Sequence, residues 1–165
     1  MESDQQKVSY IIGRQIGGDF KKQNIEIAFD LTSTDYSAEL DFTVMVDNQL
    51  MLDIAHVKEK TPVKLSLDVN DGDHELQFIM KNKKIDHTTL DHNNNIIKDA
   101  CLNIDNFSID NIELKNSFIE NTKYYHSYNS DSEKIEDEFY GTMGCNGTIV
   151  LKFSSPVYIW FLEIM

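Results

Sequence analysis

Short segments in which apolar and polar residues alternate constrain the fold of this chain more than any other feature. Alternation with a period of two residues is typical of a β-strand that buries one face. From Asn24 onward such segments follow one another, separated by short polar connectors. Evenly spaced short strands with few helical segments predict an all-β fold, an antiparallel β-sandwich of jelly-roll type. Clear examples are the segments IEIAFDL, ELDFTVMVD and VKLSLDV.

The region from Gly72 to Leu114 is expected to hold a strand, a long polar excursion and a returning pair of strands. Gly72 lies between two aspartates and predicts the turn that opens the first strand. The returning run CLNIDNFSIDNIEL alternates again, and Asp105-Asn106 in its middle predicts a β-bulge. The polar residues between these strands cannot build a core, so we interpret them as a loop.

At 165 residues the chain is expected to form one sandwich domain over residues 24–165. Residues 1–23 are predicted to be a short N-terminal arm or helix. Val8, Ile11, Ile12 and Ile16 fall roughly on one helical stripe, but the three glycines among them weaken a helix.

The C-terminal segment VYIWFLEIM is apolar on both faces when it is read as a strand. One alternating set fills the core, and the other set is left over for a contact with another chain, either a second copy or a different protein. Two alternatives stay open, since the N-terminal arm can cover this face or the strand can be central. The predicted core members are Val157, Ile159 and Phe161, and the predicted interface members are Tyr158, Trp160 and Leu162.

Charge and missing motifs exclude several classes of function. A formal net charge of −13 argues against nucleic-acid binding and favours cations or basic partners. No run approaches the ~20 apolar residues that a membrane-spanning helix needs. The sequence has no G-x-S-x-G and no phosphate-binding loop, so we predict a protein that is not an enzyme.

Acidic and histidine residues on the long loop form a candidate metal site. Carboxylate oxygens and imidazole nitrogens bind divalent ions, and Ca²⁺ is the cofactor that oxygen-rich surroundings favour. The alternative is that these residues satisfy backbone groups in turns. The candidate ligands are Asp86, His87, Asp91, His92 and Asp99.

Aromatic residues near Gly- and Ser-containing loops form a candidate sugar platform. Flat rings beside hydrogen-bonding groups are suited to stacking against a glycan. The alternative is that alternate tyrosines are half-buried residues of a sandwich strand. The candidate glycan-binding residues are Tyr124, Tyr125, His126, Tyr128 and Tyr140.

Two runs carry a resemblance to a known family: DHTTLDHNNNIIKDACLNIDNFSIDNIEL and FYGTMGCNGTIVLKFSSPVYIWFLEIM. Over roughly residues 40–165 the chain resembles small proteins encoded by large tailed phages of aquatic bacteria. The resemblance implies a phage-borne β-sandwich similar to carbohydrate-binding modules.

The function predicted from this resemblance is that of a non-enzymatic virion protein, made in the host cytoplasm, that binds glycan or cements other virion subunits. The alternative is an acidic intracellular phage protein that binds and blocks a host factor during infection.

Overall fold

The computed structural model describes residues 21–127 and 133–165, which form two antiparallel sheets, a two-stranded ribbon and two helices. The first sheet contains β1 (Lys22–Ser33), β4 (Lys60–Asn70), β8 (Leu102–Ile109), β9 (Ile112–Glu113) and β12 (Thr142–Met143). The second sheet contains β2 (Asp41–Val46), β3 (Gln49–Ile54), β5 (Gly72–Lys81), β10 (Thr122–His126), β11 (Ile135–Glu138) and β13 (Gly147–Ser155). The ribbon pairs β6 (Thr88–Leu90) with β7 (Ile96–Asp99), and the helices are α1 (Asn116–Glu120) and α2 (Val157–Ile164).

The strand order is β12-β8-β1-β4 in the first sheet, with β9 also paired to β8, and β11-β10-β13-β5-β2-β3 in the second. The chain changes sheet between β1 and β2, between β3 and β4, and between β4 and β5, so that consecutive strands build both layers. The predicted all-β antiparallel sandwich of jelly-roll type is confirmed. The predicted N-terminal arm falls almost entirely on residues 1–20, outside the part of the chain described, and β1 begins at Lys22.

The core lies between the two sheets and is built from the alternating residues of each strand. Phe78 of β5 is fully buried, and its ring centroid lies 5.2 Å from that of Phe29 and 6.0 Å from that of Phe107, both in the opposite sheet. The short helix α1 contributes Phe118, which stacks on Phe107 with a centroid separation of 4.2 Å. Aromatic pairs in these edge-to-face and stacked geometries stabilise a core beyond the area that they bury.

The predicted bulge in β8 is confirmed. Ala28 of β1 pairs with Ser108, and Asp30 pairs with Asp105, so β8 has one residue more than β1 over this interval. Asn106 lies in this interval with a φ of 56° and donates from its side chain to Asp30 at 2.9 Å. The polar pair Asp105-Asn106, which interrupts the alternation of apolar and polar residues, therefore correctly predicted the bulge.

The C-terminal segment is a helix, so the prediction of a last strand with interface residues on alternate positions is wrong. Val157, Trp160 and Phe161 are spaced three and four residues apart and point into the core, as one face of a helix does. Trp160 is only 6% exposed, and its ring lies 6.1 Å from that of Phe153. Ile159, which we placed in the core, is exposed instead.

In the parts of the chain described, no helix is long and apolar enough to cross a membrane.

Candidate contact surfaces at the two ends of the sandwich

The aromatic residues predicted to form a sugar platform do not share a surface. Tyr124 and His126 point into the sandwich interior because they occupy alternate positions of β10, and the Tyr124 hydroxyl bonds to the backbone of Cys145. Tyr125 lies on the opposite face of β10 and is half-buried, while Tyr140 is 77% exposed. Tyr128 lies outside the described residues. A single platform containing Tyr124 and His126 is therefore a wrong prediction.

The residues predicted to bind metal are spread along the ribbon, and their side chains do not come together at one point. The Asp91 carboxylate accepts hydrogen bonds from the backbone N–H of Asn93 at 2.8 Å and of Asn95 at 2.9 Å, which closes the turn between β6 and β7. These bonds, first of all the one from Asn95, lower the pKa of Asp91. His87 uses one ring nitrogen to accept the backbone N–H of Lys84, while Asp86 and His92 are exposed.

Within residues 21–127 and 133–165, no three His, Cys, Asp or Glu side chains come together as metal ligands. Calcium binding stays a prediction. The test compares the melting temperature of the protein in chelator with that in excess calcium. If calcium binds the folded protein, the melting temperature must be higher in calcium.

The ribbon is anchored to the sandwich by a partly buried ion pair. Lys83 donates from its ammonium group to the Asp99 carboxylate and, at 2.6 Å, to the carbonyl of Gly144. The Thr88 hydroxyl also donates to Asp99 at 2.6 Å. The Asn146 side chain adds two bonds with the backbone of Lys83. Burial of the Asp99 carboxylate disfavours its charged form, but the hydrogen bonds that it accepts outweigh this effect. Together they lower the pKa of Asp99 and keep it charged.

Exposed apolar side chains mark the ribbon and the turn before it. Four of them are between 49% and 95% exposed, although the surrounding sequence is polar. Ile96 pairs directly with Leu90 across the two strands, so these two side chains lie next to each other. The sequence signal was the presence of isoleucine and leucine in a segment that we interpreted only as a polar loop. We define the ribbon patch as Ile85, Leu90, Ile96 and Ile97. Ile96 and Ile97 are consecutive in β7, so they lie on opposite faces of the ribbon.

A second apolar surface lies on the outer face of α2. Its four members are between 56% and 85% exposed, whereas the opposite face of the same helix is buried in the core. Tyr158 and Leu162 were predicted to lie at an interface and are exposed, while Trp160 belongs to the core. Helical spacing places Tyr158, Leu162 and Met165 one turn apart along one stripe. We define the α2 patch as Tyr158, Ile159, Leu162 and Met165.

The two patches lie at opposite ends of the sandwich. In the ladder between β5 and β13, Gly72 pairs with Ser155 at one end and Met80 pairs with Gly147 at the other. The helix α2 begins two residues after Ser155, whereas the ribbon follows the far end of β5. Ten residues of β5 at ~3.3 Å each separate these ends by roughly 30 Å.

An open groove of about 550 Å³ lies beside α2. Phe153 and Trp160 contribute aromatic edges to it, and Lys152 and Ser154 line its side. Its remaining walls carry four carboxylates and one histidine, so the groove is acidic. These residues are Asp47, Asp73, Glu75, Glu163 and His74.

The histidine of this groove, which lies in β5, links the turn between β2 and β3 to the turn between β4 and β5. One ring nitrogen of His74, Nε2, lies 2.6 Å from the carbonyl oxygen of Asn70, and the other, Nδ1, lies 2.7 Å from the Asp47 carboxylate. Because both partners are acceptors, the two bonds form together only when both ring nitrogens carry a proton, so these contacts favour the imidazolium. Burial of the ring opposes the charge, but the bonds to Asp47 and Asn70 outweigh it and raise the pKa of His74.

The raised pKa makes the stability of the protein depend on pH. A group whose folded pKa lies above its unfolded value of about 6.5 stabilises fully below that value, and its contribution disappears as the pH rises through the folded pKa. We expect His74→Gln to lower the free energy of unfolding on the order of 1 kcal/mol at low pH, with a difference that shrinks as the pH rises. Urea unfolding from about pH 5.5 to about pH 9 measures this difference.

The matched control for this prediction is His92→Gln, because His92 is exposed on the ribbon. We expect this variant to unfold at about the same urea concentration as the wild type, because an exposed side chain contributes little to the stability of the fold. A constant difference between wild type and His74→Gln across the pH range would show that the ring acts only by its shape.

No protein-family model and no curated protein matches this chain. A solved structure to which the chain is similar carries the description "vCBM60 in complex with galactobiose". The two share 8% sequence identity with a TM-score of 0.47, and the match covers 76% of this chain and 96% of the other. At this level of similarity we transfer neither a ligand nor a function to this chain.

Proposed function

We propose that this protein is a non-enzymatic phage virion component that cements other subunits through the apolar patches at its two ends. The observation that carries the proposal is that one sandwich exposes two groups of apolar side chains roughly 30 Å apart. A protein that joins subunits needs two separate contact surfaces on one folded body. The phage assignment rests on the sequence resemblance over residues 40–165.

The energetic reason is the cost of apolar surface in water. Each Å² of apolar surface that a contact buries contributes about 25 cal/mol, so covering several large side chains stabilises a complex by several kcal/mol. Exposed apolar side chains that adjoin one another mark interaction sites on a soluble domain. Leu90 adjoins Ile96 on the ribbon, and Tyr158 and Leu162 lie one turn apart on α2. The high proportion of charged residues elsewhere, 26% of the chain, makes the two apolar patches stand out.

Glycan binding stays a prediction, but fewer of the aromatic residues named for it can contact a sugar. Tyr140 offers an exposed ring, while Tyr124 and His126 are buried and cannot stack against a sugar without unfolding β10. A glycan array on the purified protein tests this role. Binding that is lost in Tyr140→Ala would support recognition, and silence across the array would leave the cementing role alone.

The direct test of cementing compares three glutamate variants of exposed residues. Leu162→Glu places a charge in the α2 patch, Ile96→Glu places one in the ribbon patch, and Leu50→Glu places one on the edge strand β3 away from both ends. We expect wild type and Leu50→Glu to bind immobilised particle proteins of the encoding phage. Leu162→Glu and Ile96→Glu should each lose at least about tenfold in affinity, because a charge in a desolvated contact is costly.

All four proteins must first show the same circular dichroism spectrum and melting temperature, which excludes misfolding. Equal binding by all three variants would contradict the proposal. The same holds if the wild type binds no particle protein.

A further inference from the structure

The α2 patch lies at the end of the sandwich where the described part of the chain begins. The side-chain oxygen of Gln23, in β1, accepts hydrogen bonds from the Ser155 hydroxyl at 2.9 Å and from the backbone N–H of Val157 at 3.1 Å. Val157 is the first residue of α2, so these bonds tie the start of β1 to the start of the helix. Residues 1–20, outside the described part, are therefore joined to the sandwich next to the α2 patch.

The sequence before β1 supplies apolar side chains that suit this patch. We define the N-terminal segment as residues 7–20, and its apolar members recur at helical spacing. The members of the α2 patch are between 56% and 85% exposed, so the patch is open in the described part of the chain. A contact between the segment and the patch removes both apolar surfaces from water. The apolar members of the segment are Val8, Ile11, Ile12 and Ile16.

The length of chain between the apolar members and the sandwich allows this contact. From Ile16 to Lys21 an extended chain spans at most roughly 17 Å. The 8 residues of α2 are about 12 Å long, so the whole patch is within reach. Gly17 and Gly18 lie between the apolar members and β1, and they put few steric limits on the direction in which the chain turns back.

The charge of this part of the chain is opposite to that of the groove beside α2. Residues 7–22 hold four basic residues and one acid, Asp19, which gives a net charge of +3 in a chain of −13. The groove walls carry four carboxylates against Lys152 and His74, so they keep a net negative charge even when His74 is protonated. Two further acids lie in the first four residues, so the attraction belongs to the part that holds the apolar members. The four bases are Lys7, Arg14, Lys21 and Lys22.

We propose that the N-terminal segment folds back onto the α2 patch of its own chain and covers it before the protein joins a particle. Because the segment is tethered beside the patch, it is present there at a high effective concentration, which favours it over a second copy. A particle subunit must displace the segment to reach the patch. The covering contact stands on its own, whereas its effect on assembly rests on the proposed function.

Disulfide trapping in the full-length chain tests the covering contact. The variant that combines Ile12→Cys with Leu162→Cys places one thiol in the segment and one at the most exposed position of the patch. The partly exposed native cysteine, Cys145, is replaced by serine, and Cys101 is buried. With oxidised glutathione as the oxidant, we expect an intramolecular disulfide in most of the protein. Non-reducing electrophoresis and mass spectrometry of the linked peptides measure it.

Asp71→Cys in place of Leu162→Cys is the matched control for reach. Asp71 is exposed and follows Asn70, which pairs with Lys22 at the start of β1, but it lies outside the patch. A tethered segment with no preferred contact would reach both positions, so we expect capture at Asp71 to be at least about fivefold slower than at Leu162.

A charge in the segment tests whether apolar contact drives the capture. Adding Ile16→Asp to the trapping variant should slow the capture at least about fivefold, because it places a carboxylate in an apolar contact. Gln6→Asp adds the same charge outside the apolar members and should leave the rate unchanged. Melting curves of every variant check that the fold is kept.

The locked protein tests the effect of the cover on assembly. After oxidation, the trapping variant cannot release its patch, so it should bind immobilised particle proteins at least about tenfold more weakly than the same protein after reduction. Cys145→Ser alone, oxidised and reduced in the same way, should bind equally in both states.

Three results would overturn the inference: capture at Leu162 no faster than at Asp71, a disulfide that joins two chains, or equal particle binding by the locked and reduced forms. If the intramolecular disulfide forms but no form of the protein binds particle proteins, the cementing function fails and the covering contact stands. If capture shows no preference for Leu162 but particle binding depends on Leu162, the cover is wrong and the cementing function stands.

Discussion

Phe78→Ala is expected to destabilise the protein by about 3–5 kcal/mol, the range measured when a large aromatic side chain is removed from a packed core. The Phe78 ring is fully buried and lies between the two sheets. It contacts Phe42 in its own sheet at a centroid separation of 5.9 Å and Phe29 across the core at 5.2 Å. Its loss removes apolar contacts from both layers and leaves a cavity that neighbouring rings cannot fill without moving.

Urea unfolding followed by circular dichroism measures this loss as a lower midpoint with an unchanged slope. The matched control is Tyr140→Ala, which also removes an aromatic ring but at an exposed position. We expect the control to change the free energy of unfolding by no more than about 0.5 kcal/mol. A loss below about 1 kcal/mol in Phe78→Ala would mean that the aromatic cluster is not the centre of the core.

Trp160→Glu is expected to destabilise the folded protein by about 3–5 kcal/mol, because it removes a large core side chain and buries a carboxylate without a partner. Trp160 packs on Phe153 and lies 5.7 Å from the ring of Phe161 on the same helix. The substitution therefore removes one of the contacts that hold α2 against β13.

The informative comparison is with Leu162→Glu, two residues along the same helix. Leu162 is exposed, so this variant should keep the stability of the wild type within about 0.5 kcal/mol while losing its binding partner. Thermal melts of both variants separate the two roles of α2. If Trp160→Glu melted like the wild type and only lost binding, the strand interpretation of this segment would regain support.

The strands were predictable from sequence because each buries one face, and a period of two is visible in the residues themselves. The bulge at Asp105-Asn106 was also predictable, since polar residues interrupt an otherwise regular alternation. The segment from Val157 onward was not, because nearly every residue in it is apolar and such a run fits a strand and a helix equally well. In the folded protein, Val157, Trp160 and Phe161 of this segment are buried on one face of the helix, and Trp160 packs against Phe153.

The candidate surfaces were predictable only in part. The exposure of Tyr158 and Leu162 could be predicted, because the C-terminal segment has more apolar residues than one buried face can hold. The acidic groove did not follow, because it collects residues from the turn between β2 and β3, the start of β5, the end of β13 and α2. The inward orientation of Tyr124 and His126 depends on which face of β10 meets the core, and this is set by its pairing with β13.

Cross-linking mass spectrometry on purified phage particles tests the cementing function most directly. Lys152 lines the groove at the α2 end, and Lys84 stands beside the ribbon patch at the other. The cementing function predicts that both lysines form links to other polypeptides of the particle. Links confined to lysines on the sandwich sides, such as Lys64 and Lys123, would contradict it. So would the absence of the protein from particles while it is abundant in infected cells, the result that an intracellular blocking protein would give.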